Sequence, residues 1–184
     1  IKPFASVVAK ALNTIPANLM SMMTKHSFGI EVGGDLFVRS VAGIDADSGV
    51  VSFFCDVNSG DRLELLEATD FVDQTRRALE AFLRAKPPAI GAILNDCILR
   101  RLNNESQLRN MSGMWPMPVA GFSTFGELFG ININQTLTAI VFFDVREKPL
   151  NDPFIETFPI HYAHFVEYFT RTHLNRMVML NRIK

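Results

Sequence analysis

Short turns separate the apolar segments in the first third of the chain, and these turns constrain the fold more than any other feature. Segments 28–32 and 36–41 repeat apolar side chains with a period of two and are joined by Gly-Gly-Asp at 33–35. A second turn at 45–49 leads into the apolar segment 50–55. Because a parallel connection needs a crossover of a dozen or more residues, turns this short only permit antiparallel neighbours. The sequence therefore predicts an antiparallel β-meander here.

Predicted helices and strands alternate along the rest of the chain. Thr69 is a candidate N-cap for an amphipathic helix that ends before Pro-Pro at 87–88. Continuous apolar segments at 89–94 and 137–143 predict buried strands, and residues 158–181 predict a long final helix. This order predicts an α+β fold, with a mainly antiparallel, mixed sheet packed by two or three helices and a long C-terminal helix.

Composition and charge exclude several functions. The 184 residues are 48% apolar, which is enough for a packed core, and the net charge of −1 comes without a basic cluster for nucleic acid. No run of 18 apolar residues occurs, so we expect this segment not to enter a membrane. His161 and His164 lack the cysteines and carboxylates that would complete a metal site, so we expect no metal and no cofactor.

The two cysteines and the first residue bear on the cellular setting. Cys55 and Cys97 lie in apolar segments, and no signal peptide precedes them, which predicts a reducing, cytoplasmic location.

The chain begins at Ile1 without a methionine, which indicates a part of a larger protein. We expect residues 1–25 to form a linker or helix from that larger protein, and residues 26–184 to form the domain itself.

A glycine-rich polar segment lies at 121–130, between apolar stretches. It combines three glycines with two hydroxyl residues and the carboxylate of Glu127, and Asn-Gln-Thr follows at 134–136. Glycine allows a backbone or a ligand to approach closely, and a buried carboxylate requires a cation or several hydrogen-bond donors. The pattern indicates a small-molecule pocket. A β-hairpin whose glycines only serve the turn is the alternative.

A second candidate site follows a predicted buried strand, where Asp96 and Cys97 precede Arg100 and Arg101. Arginine binds a carboxylate through two parallel hydrogen bonds. An amino acid ligand could therefore place its carboxylate on Arg100 or Arg101 and its ammonium on Glu127. Cys97 is either a packed thiol or a thiolate nucleophile stabilised by arginine, and the arginines are either ligand contacts or a solvated pair.

These segments together resemble one known family, the FIST sensory domains. Residues 121–127 resemble the Gly-Phe-x-x-x-Gly-Glu core of the family's C-terminal half, and 134–137 resemble its His-Asn-Gln-Thr-Leu run. Residues 92–101 resemble its apolar strand that ends in Cys-x-x-Arg, and 28–61 also fit the family. Ile133 stands where the family usually has histidine, so a ligand contact from that histidine is absent.

The resemblance covers about residues 20–150 and implies a sensory input domain of bacterial signal-transduction proteins, such as chemoreceptors and sensor kinases. It also implies a cytoplasmic location and a small ligand, with an amino acid as the expected type. We therefore predict a non-catalytic domain whose ligand contacts come from Cys97, Arg100, Arg101, Phe122, Thr124, Gly126, Glu127, Asn134, Gln135 and Thr136.

The expected partners are the ligand and a covalently attached signalling output module. The long C-terminal helix would reach that module as a coiled coil, although its apolar stripe is equally compatible with core packing. The chain could also form a homodimer. Two other functions remain open: a cysteine-dependent enzyme that uses Cys97, and a protein-interaction scaffold, since relatives of the family occur in ubiquitin-ligase adaptors.

Overall fold

The computed structural model describes the backbone of residues 2–183 and the side chains of residues 2–182. In chain order, the elements are α1 (Phe4–Ala11), α2 (Leu19–Met22), β1 (His26–Val32), β2 (Asp35–Arg39), β3 (Val41–Ile44), β4 (Val51–Phe53), β5 (Glu64–Glu67), α3 (Phe71–Leu83), β6 (Ala89–Cys97), α4 (Ile98–Asn103), β7 (Val119–Thr124), β8 (Glu127–Phe129), β9 (Ile131–Ile133), β10 (Leu137–Phe143), α5 (Pro153–Glu156) and α6 (Phe158–Ile183). Short 3₁₀-helices lie at Pro16–Asn18 and Glu105–Met111. The predicted α+β class with a long C-terminal helix is confirmed.

The chain divides into two compact units that alternate along the sequence. The first unit comprises Ile1–Ala68, Ile131–Asn134 and His164–Lys184, and the second comprises Thr69–Gly130 and Gln135–Ala163. Each unit has its own three-stranded sheet. The segments predicted to hold the ligand, 92–101 and 121–127, both belong to the second unit.

In the first unit, strands β2, β1 and β5 form an antiparallel sheet in that order, and β3 and β4 form a separate antiparallel pair. The β1–β2 hairpin turns at Gly33 and Gly34, whose φ angles of 63° and 90° favour glycine. The predicted antiparallel pairing is confirmed, but β5 pairs with β1 and not with β4. The described connection 54–63 carries no strand, and its length lets the chain return to β1.

The core of the first unit takes apolar side chains from the N-terminal helices. Ala5 and Leu19 are completely buried and pack with Phe28 and Val41. The described part of residues 1–25, which we expected to form a linker or helix, therefore supplies part of this core. A second buried cluster joins β1, β2, β9 and α6, and it consists of Ile30, Val32, Phe37, Ile131, Ile133 and Tyr168.

In the second unit, the sheet order is β10-β6-β7, with β10 antiparallel and β7 parallel to β6. The connection 98–118, which carries α4 and a 3₁₀-helix, is long enough for this parallel crossover. Asp70, and not Thr69, caps α3, because its side chain accepts a hydrogen bond from the Asp73 N–H at 2.7 Å. The sheet is therefore mixed, as predicted.

Candidate functional site

The C-terminal end of β6 brings Cys97 between two threonines. Cys97 lies opposite Thr124 of the neighbouring strand β7, and its backbone N–H donates a hydrogen bond to the carbonyl oxygen of Thr136 at 3.0 Å. Side chains of directly opposed residues point to the same side of a sheet, so those of Cys97 and Thr124 share one face. Cys97 is completely buried.

Glu127 is a buried carboxylate held by these two threonines. Thr136 Oγ1 donates a hydrogen bond to Glu127 Oε2 at 2.6 Å, and Thr124 Oγ1 donates one to Oε1. Each carboxylate oxygen is therefore satisfied by a hydroxyl, as a buried charge requires. We call Cys97, Thr124, Glu127 and Thr136 the carboxylate cluster. All four residues were predicted to contact the ligand.

Arg100 is held rigidly one helical turn beyond the end of β6. Its guanidinium donates to Asp96 Oδ1 at 2.9 Å and to Thr75 Oγ1 at 2.6 Å, and it lies 4.4 Å from the ring centroid of Phe71. Asp96 lies at the end of β6 and Arg100 in α4, which begins directly after that strand, and the two side chains form an ion pair. Arg101 is more exposed and approaches the same carboxylate only to 4.0 Å.

A cavity of about 480 Å³ lies in the second unit between α3 and β10. Alternate residues of β10 face the apolar stripe of α3 across it. Its apolar walls are Ala78, Leu79, Phe82, Leu137, Ala139 and Val141. Trp115, Gln74, Thr75, Arg100 and Thr136 complete the lining. This volume and this mixture of many apolar and few polar groups are typical of small-molecule sites.

Thr136 connects the cavity to the carboxylate cluster. Its side chain bonds Glu127, and the same residue lines the cavity together with Arg100. The basic and acidic groups that were expected to face one ligand are thus arranged differently: Arg100 lines the cavity directly, and Glu127 stands behind the hydroxyl of Thr136. Within the described part of the chain, no lysine or arginine forms an ion pair with Glu127.

The remaining predicted site residues lie in other places. Arg101 and Phe122 line a smaller cavity of about 190 Å³ beside β7. Gly126 directly precedes Glu127 and has a positive φ of 153°, a conformation that favours glycine. Gln135, also at positive φ, accepts a hydrogen bond from Asn103 Nδ2 at 3.4 Å.

Asn134 belongs to the first unit and is almost completely buried there. Its Oδ1 accepts hydrogen bonds from the Ser40 N–H at 3.4 Å and from Cys55 Sγ at 2.9 Å. Ile133, where the family usually has histidine, packs in the second apolar cluster of that unit. The side-chain oxygen of Asn134 is therefore satisfied within the first unit.

Sequence reasoning missed the α3 wall of the cavity and Trp115. Thr75 lies in the helix that the sequence predicts to be amphipathic, and its hydroxyl accepts a hydrogen bond from Arg100. A hydroxyl within an otherwise apolar stripe was the available signal. Nothing in the sequence around Trp115 indicated that it would lie beside α3 and β10.

Neither a metal-binding cluster nor a membrane-spanning helix occurs in the described part of the chain. Across residues 2–182, no three side chains of His, Cys, Asp or Glu are grouped closely enough to hold a metal ion. None of the helices in the described range combines the length and the apolar character needed to cross a bilayer.

The structure is an α+β fold, and its second unit contains a cavity between α3 and β10. The family model of the FIST C domain matches residues 5–130, more than half of the chain, and the chain therefore belongs to this family. The FIST C domain is a sensory domain of signal-transduction proteins. The match includes the motif at 121–127 and ends before the one at 134–137. No curated protein and no solved structure matches the chain.

Replacing Glu127 by glutamine is expected to lower the free energy of unfolding by about 1–2 kcal/mol. The amide would point its NH₂ group at one of the two hydroxyls that now donate to the carboxylate, so that hydroxyl must turn or lose its bond. Urea unfolding followed by circular dichroism measures the change. Glu147→Gln, at an exposed position, makes the same change of charge and serves as the control. Equal stabilities of the two variants would contradict the prediction.

Proposed function

We propose that the chain is a sensory input domain that binds a small molecule in the cavity between α3 and β10. The ligand carries a carboxylate that binds Arg100 and an apolar body that packs against α3 and β10. An amino acid with an apolar side chain fits this description. The observation that carries the proposal is the buried, fixed guanidinium of Arg100 at the wall of an otherwise mainly apolar cavity.

Arg100 keeps hydrogen-bonding capacity for a ligand. Its hydrogen bonds to Asp96 and Thr75 use two donor nitrogens, NH1 and NH2, whereas a guanidinium has five N–H groups. The side chain is already ordered by these bonds and by the ring of Phe71, so binding costs little additional entropy. A ligand carboxylate would meet a preorganised donor, which supports an anion site at this end of the cavity.

The other end of an amino acid needs acceptors, because an ammonium only donates hydrogen bonds. Gln74 and Thr136 both line the cavity, and each side chain carries an oxygen that can accept a hydrogen bond. Glu127 lies directly behind Thr136 and would lower the energy of a positive charge placed there. This arrangement supports a zwitterionic ligand over one that carries only a carboxylate.

A chain of contacts supports coupling between the cavity and the long helix α6. Phe82 lines the cavity, and Lys86 Nζ lies 4.2 Å from the centroid of its ring. Lys86 also pairs with Asp152 at 3.5 Å, and both side chains are largely buried. Asp152 caps α5 by accepting a hydrogen bond from the Phe154 N–H at 3.0 Å. Because α6 follows α5 directly, a ligand that shifts Phe82 would act on the start of α6.

The signalling protein that contains this domain is part of the same proposal. An output module attached to the chain would receive the signal, as in cytoplasmic bacterial chemoreceptors and sensor kinases. The complete burial of Cys97 supports ligand sensing over nucleophilic catalysis, because a reactive thiolate needs access to its substrate.

Trp115 provides the test, since it is the one tryptophan of the chain and lines the cavity. Amino acids with apolar side chains are expected to change its fluorescence in a saturable way. Phenylalanine is compared with 3-phenylpropionate and with phenethylamine, which each lack one charge. Stronger binding of phenylalanine than of both analogues supports the zwitterion, and binding equal to that of 3-phenylpropionate removes the ammonium site from the proposal.

A pair of variants locates the binding. Ala139→Phe fills the cavity from β10 and is expected to weaken binding by more than about tenfold, which corresponds to about 1.4 kcal/mol. Ile140→Phe is the control, because the next residue of a strand points to the opposite face. An absence of any response in wild-type protein, or equal binding by both variants, would overturn the proposed function.

A further inference from the structure

Strand β7 is an exposed edge of the second unit's sheet. It pairs with β6 on one side, and no strand of that sheet follows it on the other. Residues 119–123 are all exposed. Phe122 is 63% exposed, and Phe125, just beyond the strand, is 94% exposed. Large aromatic side chains are therefore concentrated along an open edge.

This edge lacks the features that normally prevent pairing. Exposed edge strands are usually protected by lysine, by proline, by a bulge or by short length. Residues 119–124 contain no charged residue and no proline. Their register with β6 runs without interruption from Ala92↔Val119 to Cys97↔Thr124. A regular, uncharged edge of six residues is a template for another strand.

We infer that β7 is a homodimer interface, in which it pairs antiparallel with β7 of a second copy of this chain. A two-fold axis that relates two antiparallel edge strands stands perpendicular to the sheet and keeps each face continuous. Opposed residues must therefore have numbers of the same parity, because side chains alternate between the faces. The two-fold axis passes beside one residue of β7, which then lies opposite its own copy. Gly121 and Phe122 are two candidates for this central residue.

With Phe122 as the central residue, both exposed phenylalanines, Phe122 and Phe125, have an opposed side chain in the second copy. The two copies of Phe122 then lie opposite each other, and Val119 of each copy lies opposite Phe125 of the other. Cross-strand aromatic pairs and aromatic pairs with β-branched residues stabilise sheets by about 0.2–1 kcal/mol each. A centre at Gly121 would instead leave Phe125 without an opposed residue on β7. Self-complementarity at the first centre favours a second copy over an unrelated strand.

The size of the interface sets the expected affinity. Each phenylalanine contributes at most about 150–250 Å² when fully buried, and the strands are short. The total area therefore falls below the roughly 1,200 Å² at which stable interfaces begin. We expect a reversible dimer that forms as the protein concentration rises through the micromolar range.

Sedimentation velocity over a concentration series tests the interface. The wild-type chain is expected to double its mass with concentration, and Phe122→Lys is expected to remain monomeric, because it places two like charges at the two-fold axis. Ile140→Lys is the matched control: it is 59% exposed on the opposite edge strand, β10, and is expected to dimerise like the wild type. A monomeric wild type, or a dimeric Phe122→Lys variant, would overturn the inference.

Disulfide crosslinking tests the register. In a Cys55→Ser background, Phe122→Cys is expected to give a crosslinked dimer under mild oxidation, since opposed strand residues lie within disulfide reach. Ala120→Cys is expected not to crosslink, because its copies would lie four residues apart, about 13 Å along the strand. Efficient crosslinking at 120 and none at 122 would reject the proposed register.

Discussion

Replacing Arg100 by methionine is expected to lower the free energy of unfolding of the second unit by about 3 kcal/mol. The substitution removes the hydrogen bonds to Asp96 and Thr75 and the contact with the ring of Phe71. It also leaves the largely buried carboxylate of Asp96 without its closest cation. Urea unfolding followed by the fluorescence of Trp115 measures the loss, because this residue lies in the second unit.

Arg101→Met is the matched control for this prediction. Arg101 makes the same type of ion pair with Asp96, but at 4.0 Å and with a side chain 44% exposed, so its removal is expected to cost less than about 1 kcal/mol. The two substitutions change the net charge equally. Similar losses for both variants would mean that charge, and not the fixed position of Arg100, determines the stability of this region.

The sequence predicts the local elements well because they depend on local signals. The period of two and the turn at Gly33 and Gly34 predict the β1–β2 hairpin, which the structure confirms. The residues 89–94 predict β6 because a continuous apolar run is typical of a central strand, and β6 has neighbours on both sides. In each case a few adjacent residues determine the conformation.

Pairing between distant segments is less accessible from sequence. The segment 121–130 was open to interpretation as a pocket or a hairpin, and β7 proved to pair in parallel with β6. Its partner depends on the crossover 98–118, which contains no periodic signal for that choice. The division of the predicted site has the same origin: Asn134 and Gln135 are adjacent, yet they belong to different units. Only the folded chain determines which of these residues meet.

Gly121→Ala is expected to lower the free energy of unfolding by about 3 kcal/mol, at the upper end of overpacking effects. A Cβ atom at position 121 would overlap the carbonyl oxygen of Leu94 and lie 2.9 Å from its Cβ, so β7 would have to move away from β6. Leu94 and Gly121 are register partners, and the contact is with backbone that cannot turn aside. The first glycine of the family motif thus permits the close parallel pairing that brings Thr124 beside Cys97.

Gly91→Ala, in the same sheet, separates this steric effect from the general effect of removing a glycine. A Cβ atom at position 91 would meet only the carbonyl oxygen of Pro118 at 3.8 Å, an ordinary contact, so we expect no loss of stability and a gain of up to about 1 kcal/mol. Urea unfolding followed by Trp115 fluorescence compares both variants with the wild type. If Gly121→Ala were as stable as Gly91→Ala, the close approach of β7 to β6 would not be required, and the position of Thr124 against Glu127 would need another cause.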